Sequence, residues 1–391
     1  MRIFFILLYL LLLSSCSDKF FTNNRQSIKF KIEGEHIVIN LKPANYKKGS
    51  FYFDTGSGWL IIDETYYEKQ KMTFVDIFES KMGGVGNEVT KSTRILDTIC
   101  FCIGNKKFYS EYNITSNLKK IFGKNIDGIV GFNSFRGTPF KIDYFAKNIV
   151  LNPKGLIGYQ EIPIGFDGYR MLLHMKVELA KGKTIEGDFL IDTGSRRTAL
   201  TSEFFKNNDI EESLKSAYIH NGGIGGLSQG YSFFVPNINI DKFNLNSKLI
   251  DVVSDSLGAL SKDENYIGII GNDILDDFDI IYHPSEYKIW IKPNRNFNRP
   301  SENLYKGFIM VEQSGKDKGW IVGEIYKESD AYKKGLRHND EIVAINGKSV
   351  HKMNRDKFMR KLKSNQKLQL KVKRGNDFVE INTYLNVFLS K

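Results

Sequence analysis

Two short segments carry the residue types that peptide-bond hydrolysis by paired carboxylates requires. Phe53-Asp54-Thr55-Gly56-Ser57 is matched by Ile191-Asp192-Thr193-Gly194-Ser195, 138 residues later. Without a metal or a covalent intermediate, one group must deprotonate a water while another protonates the substrate, and two carboxylates can do both. Held about 3 Å apart they cannot both ionise, so they share a proton, one apparent pKa falling and the other rising. Asp54 and Asp192 are the candidates for that pair. Gly56 and Gly194 let the backbone turn tightly beside each carboxylate, and the hydroxyls of Thr55, Ser57, Thr193 and Ser195 can orient it.

The two segments belong to a longer duplication. Gly83-Gly84-Val85-Gly86 matches Gly222-Gly223-Ile224-Gly225 at an offset of 139, and Gly128-Ile129-Val130-Gly131 matches Gly268-Ile269-Ile270-Gly271 at an offset of 140. Order and spacing are both kept across a half of about 140 residues, the signature of an internal repeat. Short apolar or alternating runs at 28–32, 36–41, 172–179 and 287–291 predict strands in both halves, with few and short helices. The predicted fold class is mainly β, with two similar lobes followed by a small α+β module.

These motifs resemble the pepsin and retropepsin superfamily of aspartic peptidases over residues 28 to 296. The resemblance implies a two-lobed acid-protease fold of duplicated β-barrel lobes, each giving one Asp-Thr-Gly loop and one apolar-apolar-Gly segment that supports it. Ile129-Val130-Gly131 and Ile269-Ile270-Gly271 match the supporting segment. Asn221-Gly222-Gly223-Ile224-Gly225-Gly226 resembles the glycine-rich flap tip of viral retropepsins, and Lys81-Met82-Gly83-Gly84-Val85-Gly86 is a poorer copy. Two flap-like segments suggest a fused retropepsin dimer; a flap tyrosine typical of pepsins is not found at a matching place. Glycines suit a flexible hairpin lid that closes over substrate. The implied activity is that of an aspartic endopeptidase on extended polypeptide, with water as nucleophile and no cofactor.

Other chemistries find less support. His36, His174, His220, His283, His338 and His351 show no His-Glu-x-x-His spacing, no Gly-x-Ser-x-Gly elbow is present, and the glycine cluster at 222–226 lacks the Gly-Lys-Ser/Thr ending of a phosphate loop. No metal is expected.

The N-terminus reads as a targeting segment. Met1-Arg2 precedes an apolar run from Ile3 to Leu13, too short to span a bilayer. Leu13-Ser14-Ser15-Cys16 resembles a bacterial lipobox, which implies removal of the leader, lipidation at Cys16 and attachment to a membrane of the cell envelope. The other two cysteines, Cys100 and Cys102, are too close in an extended strand to bridge each other comfortably, and they read as two small buried hydrophobes sharing one face. The formal charge is +11, and residues 303–391 hold 19 Lys/Arg against 10 Asp/Glu. A solvated basic surface explains this excess, attraction to anionic lipid or acidic partners being the sharper alternative. Nucleic acid is not expected as a partner of an exported protein.

From Trp320 onward the chain resembles a PDZ domain. The residues are a strand at 321–325, a short helical stretch ending at Gly335-Leu336, Asp340-Glu341-Ile342, an Asn346-Gly347 turn, a helix over 354–365 and a hairpin of 367–373 with 378–384. The resemblance implies peptide capture by strand addition, with Gly307, Phe308, Phe358 and Leu362 as candidate groove residues. The expected organisation is a signal and lipobox at 1–16, a tether at 17–27, lobes at 28–158 and 159–296, and the PDZ module at 303–388. Removing 303–391 is expected to spare cleavage of a short peptide. A catalytically inactive, envelope-anchored peptide-binding adaptor is the alternative reading.

Overall fold

The structure is a computed structural model that describes residues 26–33, 36–122, 126–206, 210, 215–299, 307–312, 319–359 and 361–385. Cys16 and the leader lie outside the described residues. Among the described residues no helix is long and apolar enough to cross a membrane. The chain is mainly β, as the alternating runs predict, and its helices are one or two turns long.

Both halves repeat one pattern of strand pairing. In the first, Gly49–Asp54 runs parallel to Gly128–Gly131, which is antiparallel to Leu60–Asp63, and that strand runs parallel to Asn113–Ser116. In the second, Lys183–Ile191 runs parallel to Gly268–Ile270, which is antiparallel to Ala199–Leu200, itself parallel to Phe243–Val253. The repeated apolar-apolar-Gly segment is thus the central strand of each pattern, inserted beside the strand that leads into each Asp-Thr-Gly. Only glycine fits at its end: a Cβ on Gly131 would lie 2.5 Å from the carbonyl oxygens of Ser57 and Trp59, and one on Gly271 2.5 Å from the carbonyl carbon of Arg197.

A six-stranded antiparallel sheet joins the halves. It takes Gln26–Lys29, Asn148–Leu151 and Phe140–Asp143 from the first half, then Phe278–His283, Lys288–Pro293 and Gln160–Pro163 from the second. Its central pair is Phe140 opposite Tyr282 and Ile142 opposite Ile280, and one core runs continuously across both halves. The first described strand begins at Gln26, inside the stretch read as a tether.

The C-terminal domain has a core of its own around Trp320, Leu336, Ile342 and Leu370. It is also joined to the second half edge to edge. Trp320–Tyr326 pairs with Lys215–Gly223 at Ala217 opposite Tyr326 and Tyr218 opposite Ile325, so one sheet runs through both.

Three local expectations need correction. Cys100 and Cys102 are unbridged and share a face of Ile99–Ile103, as expected, but they are half-buried, because Ile99, Phe101 and Ile103 take the interior face. Tyr287 is no strand residue; it closes a helical turn in the left-handed region at φ 57°, and the strand starts at Lys288. The helix predicted over 354–365 is only Arg355–Met359. Leu362 lies beyond it, buried in the domain core.

Candidate active site

Alternation along Gly49–Asp54 decides where the first carboxylate points. Gly49, Phe51 and Phe53 face the core, so Ser50, Tyr52 and Asp54 face the other way, Asp54 into a cleft of about 750 Å³ between the halves. Phe189, Leu190 and Ile191 anchor the second strand in the same manner, and Asp192 follows them into the same cleft.

Each carboxylate is held by its own turn. Asp54 Oδ1 accepts the amides of Gly56 at 2.9 Å and Ser57 at 3.0 Å; Asp192 Oδ1 accepts those of Gly194 at 2.8 Å and Ser195 at 3.1 Å. The turns cross over so closely that a Cβ on Gly56 would lie 2.5 Å from Asp192 Cγ, and one on Gly194 2.4 Å from Asp54 Cγ. Each glycine therefore leaves the space that the opposite carboxylate fills. Beneath them, Thr55 Oγ1 donates to Ile191 O at 2.8 Å and Thr193 Oγ1 donates to Phe53 O at 2.9 Å, while each hydroxyl accepts the other threonine's amide.

Burial pushes the pKa of both carboxyls up, and at Asp192 the nearby charge of Asp54 adds to it, carrying that group well above the carboxylate range. The two carboxyls act on each other with opposite sign, Asp192 favouring the ionised form of Asp54 and Asp54 favouring the protonated form of Asp192. Two carboxyls coupled in this way titrate as one unit, and the proton is held more firmly at Asp192.

The two glycine clusters meet above this pair. Gly225 donates its amide to Val85 O at 3.0 Å, and Glu88 donates its own to Gly225 O at 2.6 Å. Thr90 Oγ1 reaches Ile224 O at 2.6 Å. Gly86, at φ 124°, donates to buried Asp255 Oδ2 at 2.8 Å. Gly83, Gly84, Gly222 and Gly223 line the cleft roof, and Gly226, at φ 86°, turns the second hairpin.

Several residues of the site were not singled out from sequence. His36 lines the cleft, stacked on Tyr52 with ring centres 4.6 Å apart. Burial, reinforced by the charge of Arg196, lowers its pKa to about 4, so the ring is neutral above that. Arg196 and Arg197 follow directly on the second Asp-Thr-Gly-Ser. Arg197, 8% exposed, pairs with Asp251 at 2.9 Å and with Glu324 of the C-terminal domain at 3.0 Å; Arg196 also pairs with Glu324, at 2.9 Å. The signal available was the contrast between Gly58-Trp59 in the first copy and Arg196-Arg197 in the second.

In the C-terminal domain Phe308 and Leu362 belong to the core, and Phe358 packs half-buried on Trp320. Gly307 sits at φ 74° ahead of the strand Phe308–Glu312. Tyr305 and Lys306, part of the candidate binding loop, lie outside the described residues. Arg355 Nη1, from the short helix, donates to Met310 O at 2.8 Å.

The family model for the PDZ domain matches residues 297–373, so the C-terminal domain is a PDZ domain. No curated protein matches the chain.

Proposed function

We propose that this protein is an aspartic endopeptidase with a two-lobed acid-protease fold of duplicated retropepsin-like lobes, in which Asp54 and Asp192 are the catalytic pair and the PDZ domain recruits peptide. The supporting observation is the close packing of two carboxylates against each other's glycines, in a cleft also lined by both glycine hairpins.

The chemistry follows from the shared proton. The ionised member takes a proton from a water held between the two, and the water oxygen adds to the peptide carbonyl. The protonated member gives its proton to the carbonyl oxygen, producing a neutral tetrahedral adduct. Return of a proton to the amide nitrogen as the C–N bond breaks releases an amine and an acid, and the pair regains its starting proton. The roles alternate within each turnover, and no cofactor enters. The hairpins exclude bulk water and hold substrate extended beneath them. Ile61, Ile114 and Ile129 on the cleft wall suit an apolar substrate side chain.

The PDZ family binds peptides by strand addition. Recruitment of polypeptide by this domain fits the proposed activity, and export with lipidation at Cys16 would set both at the cell envelope. The test is cleavage of an unstructured protein by purified wild type, its loss in Asp54→Asn, and its block by a pepstatin-type inhibitor. A folded wild type that leaves such a protein intact would defeat the reading in favour of an adaptor acting through the PDZ domain alone.

A further inference from the structure

Glu324 is an unusual residue for its strand. It sits between Gly323 and Ile325 in Trp320–Tyr326, is 6% exposed, and pairs with arginines of the second half of the chain. Burial alone would raise its pKa, yet Arg197 and Arg196 hold it below the ordinary glutamate range, so it is ionised.

The connection continues to Asp192. Glu324 Oε2 accepts Arg197 Nη1 at 3.0 Å, and Tyr326 OH donates to the same oxygen at 3.1 Å. The carbonyl of Arg197 accepts Ser195 Oγ at 2.8 Å, and Ser195 N donates to Asp192 Oδ1 at 3.1 Å. From the other side Asn272 N donates to Ser195 O at 3.0 Å and Asp273 N to Arg196 O at 3.1 Å. Three links thus join a PDZ carboxylate to a candidate catalytic carboxylate. The backbone makes a second route, since Glu324 lies opposite Ile309 of Phe308–Glu312, and the strand bearing Glu324 pairs with the second glycine hairpin.

We propose that Glu324 is a positioning residue for the Asp192 loop, making the PDZ domain an integral part of the active centre. This rests on the peptidase reading. The ion pairs neutralise two adjacent arginines that would otherwise repel each other beside the pair, and they hold the turn that donates to Asp192. Removal of 303–391, expected from the sequence to spare short-peptide cleavage, is inactivating on this account.

The test uses the full chain and a fluorogenic peptide built on a cleavage site mapped with wild type. Glu324→Gln keeps the shape and removes the charge. A misplacement of the Asp192 loop by about 1 Å lowers kcat by about 10²-fold with KM nearly unchanged, and Glu324→Asp recovers part of the loss. A folded Glu324→Gln with wild-type kcat, or one in which only KM rises, overturns the inference. If Glu324→Gln does not fold, Arg197→Lys decides, because it keeps the charge but loses the fork that pairs with Glu324 and Asp251 together: reduced kcat at nearly unchanged KM supports positioning, unchanged kcat overturns it. Loss of the peptidase reading has a different signature, a wild type without cleavage or an Asp54→Asn as active as wild type.

Discussion

Thr55 and Thr193 exchange hydrogen bonds in both directions: each hydroxyl accepts the other's backbone amide at 3.0 Å. Both are fully buried, and each also donates to a carbonyl one residue before the opposite aspartate. The two Asp-Thr-Gly turns are therefore one unit, and neither can move without breaking bonds to the other.

That exchange gives a stability prediction. Thr55→Ala and Thr193→Ala each leave buried amide and carbonyl groups unpaired, at about 1–3 kcal/mol for each group so stranded. Thr55→Ser keeps the hydroxyl and should recover most of the loss. Urea unfolding midpoints of the three variants measure it, and turnover should fall in step with the alanine variants.

Asp54→Asn and Asp192→Asn should each lower kcat by about 10³-fold, since an amide keeps the shape but cannot share a proton. Stability should move the opposite way. A carboxyl with a raised pKa contributes stability that is present below its unfolded value and is lost as pH rises through its folded value. Asp192 is raised well above the usual range, so the contribution of this group declines from about pH 4 upward. Asp192→Asn should show a flatter Tm profile and a higher Tm than wild type at neutral pH. Calorimetry across pH 3 to about 8 checks the sign.

The same proton governs activity. Cleavage requires one carboxyl protonated and one ionised, so kcat/KM should follow a bell with two macroscopic limbs. The alkaline limb should lie above the ordinary carboxylate range, because burial and the charge of Asp54 hold the second proton on Asp192. A profile measured with one peptide substrate would show it; an alkaline limb near pH 4 would contradict it.

The roof makes a graded prediction. A Cβ on Gly86 would lie 2.2 Å from Gly225 O at a left-handed φ, one on Gly225 2.8 Å from Gly84 O with two more carbonyl oxygens within 3.1 Å, and one on Gly84 2.9 Å from Ile224 Cβ with its next neighbours at 3.6 Å. Alanine should therefore harm turnover most at Gly86, next at Gly225 and least at Gly84. A penalty of about 1 kcal/mol at Gly86 corresponds to roughly fivefold in rate. Tm should change little, because the hairpin tips contribute little core.

Much of this site could be read from the chain because its parts recur. The offsets of 138 to 140 between matched segments reappear as matched registers, Phe51 opposite Gly128 and Phe189 opposite Gly268. The contacts that differ between the halves were hidden. Glu324 is 127 residues from Arg197, and nothing in a basic, charge-rich module marks one glutamate as buried. Its apolar strand neighbours were the available hint. Asp255 holding Gly86 across 169 residues left no hint, since a lone aspartate in a loop has many ordinary uses. The residues at 354–365 looked helical throughout, but the domain core draws Leu362 inward after Met359 and the helix stops.

The six-stranded sheet takes three strands from each half and so fastens two nearly equivalent units into a single chain with unlike neighbours. Two identical subunits would be bound to carry the same residue after both aspartates. A single chain is free of that constraint: Gly58-Trp59 follows one Asp-Thr-Gly-Ser, while Arg196-Arg197, with Glu324 as a partner, follows the other. There is one PDZ domain for the pair of carboxylates, so the two sides of the cleft are not equivalent. Were the PDZ domain to recruit substrate, as proposed, that substrate would meet a cleft whose two sides differ.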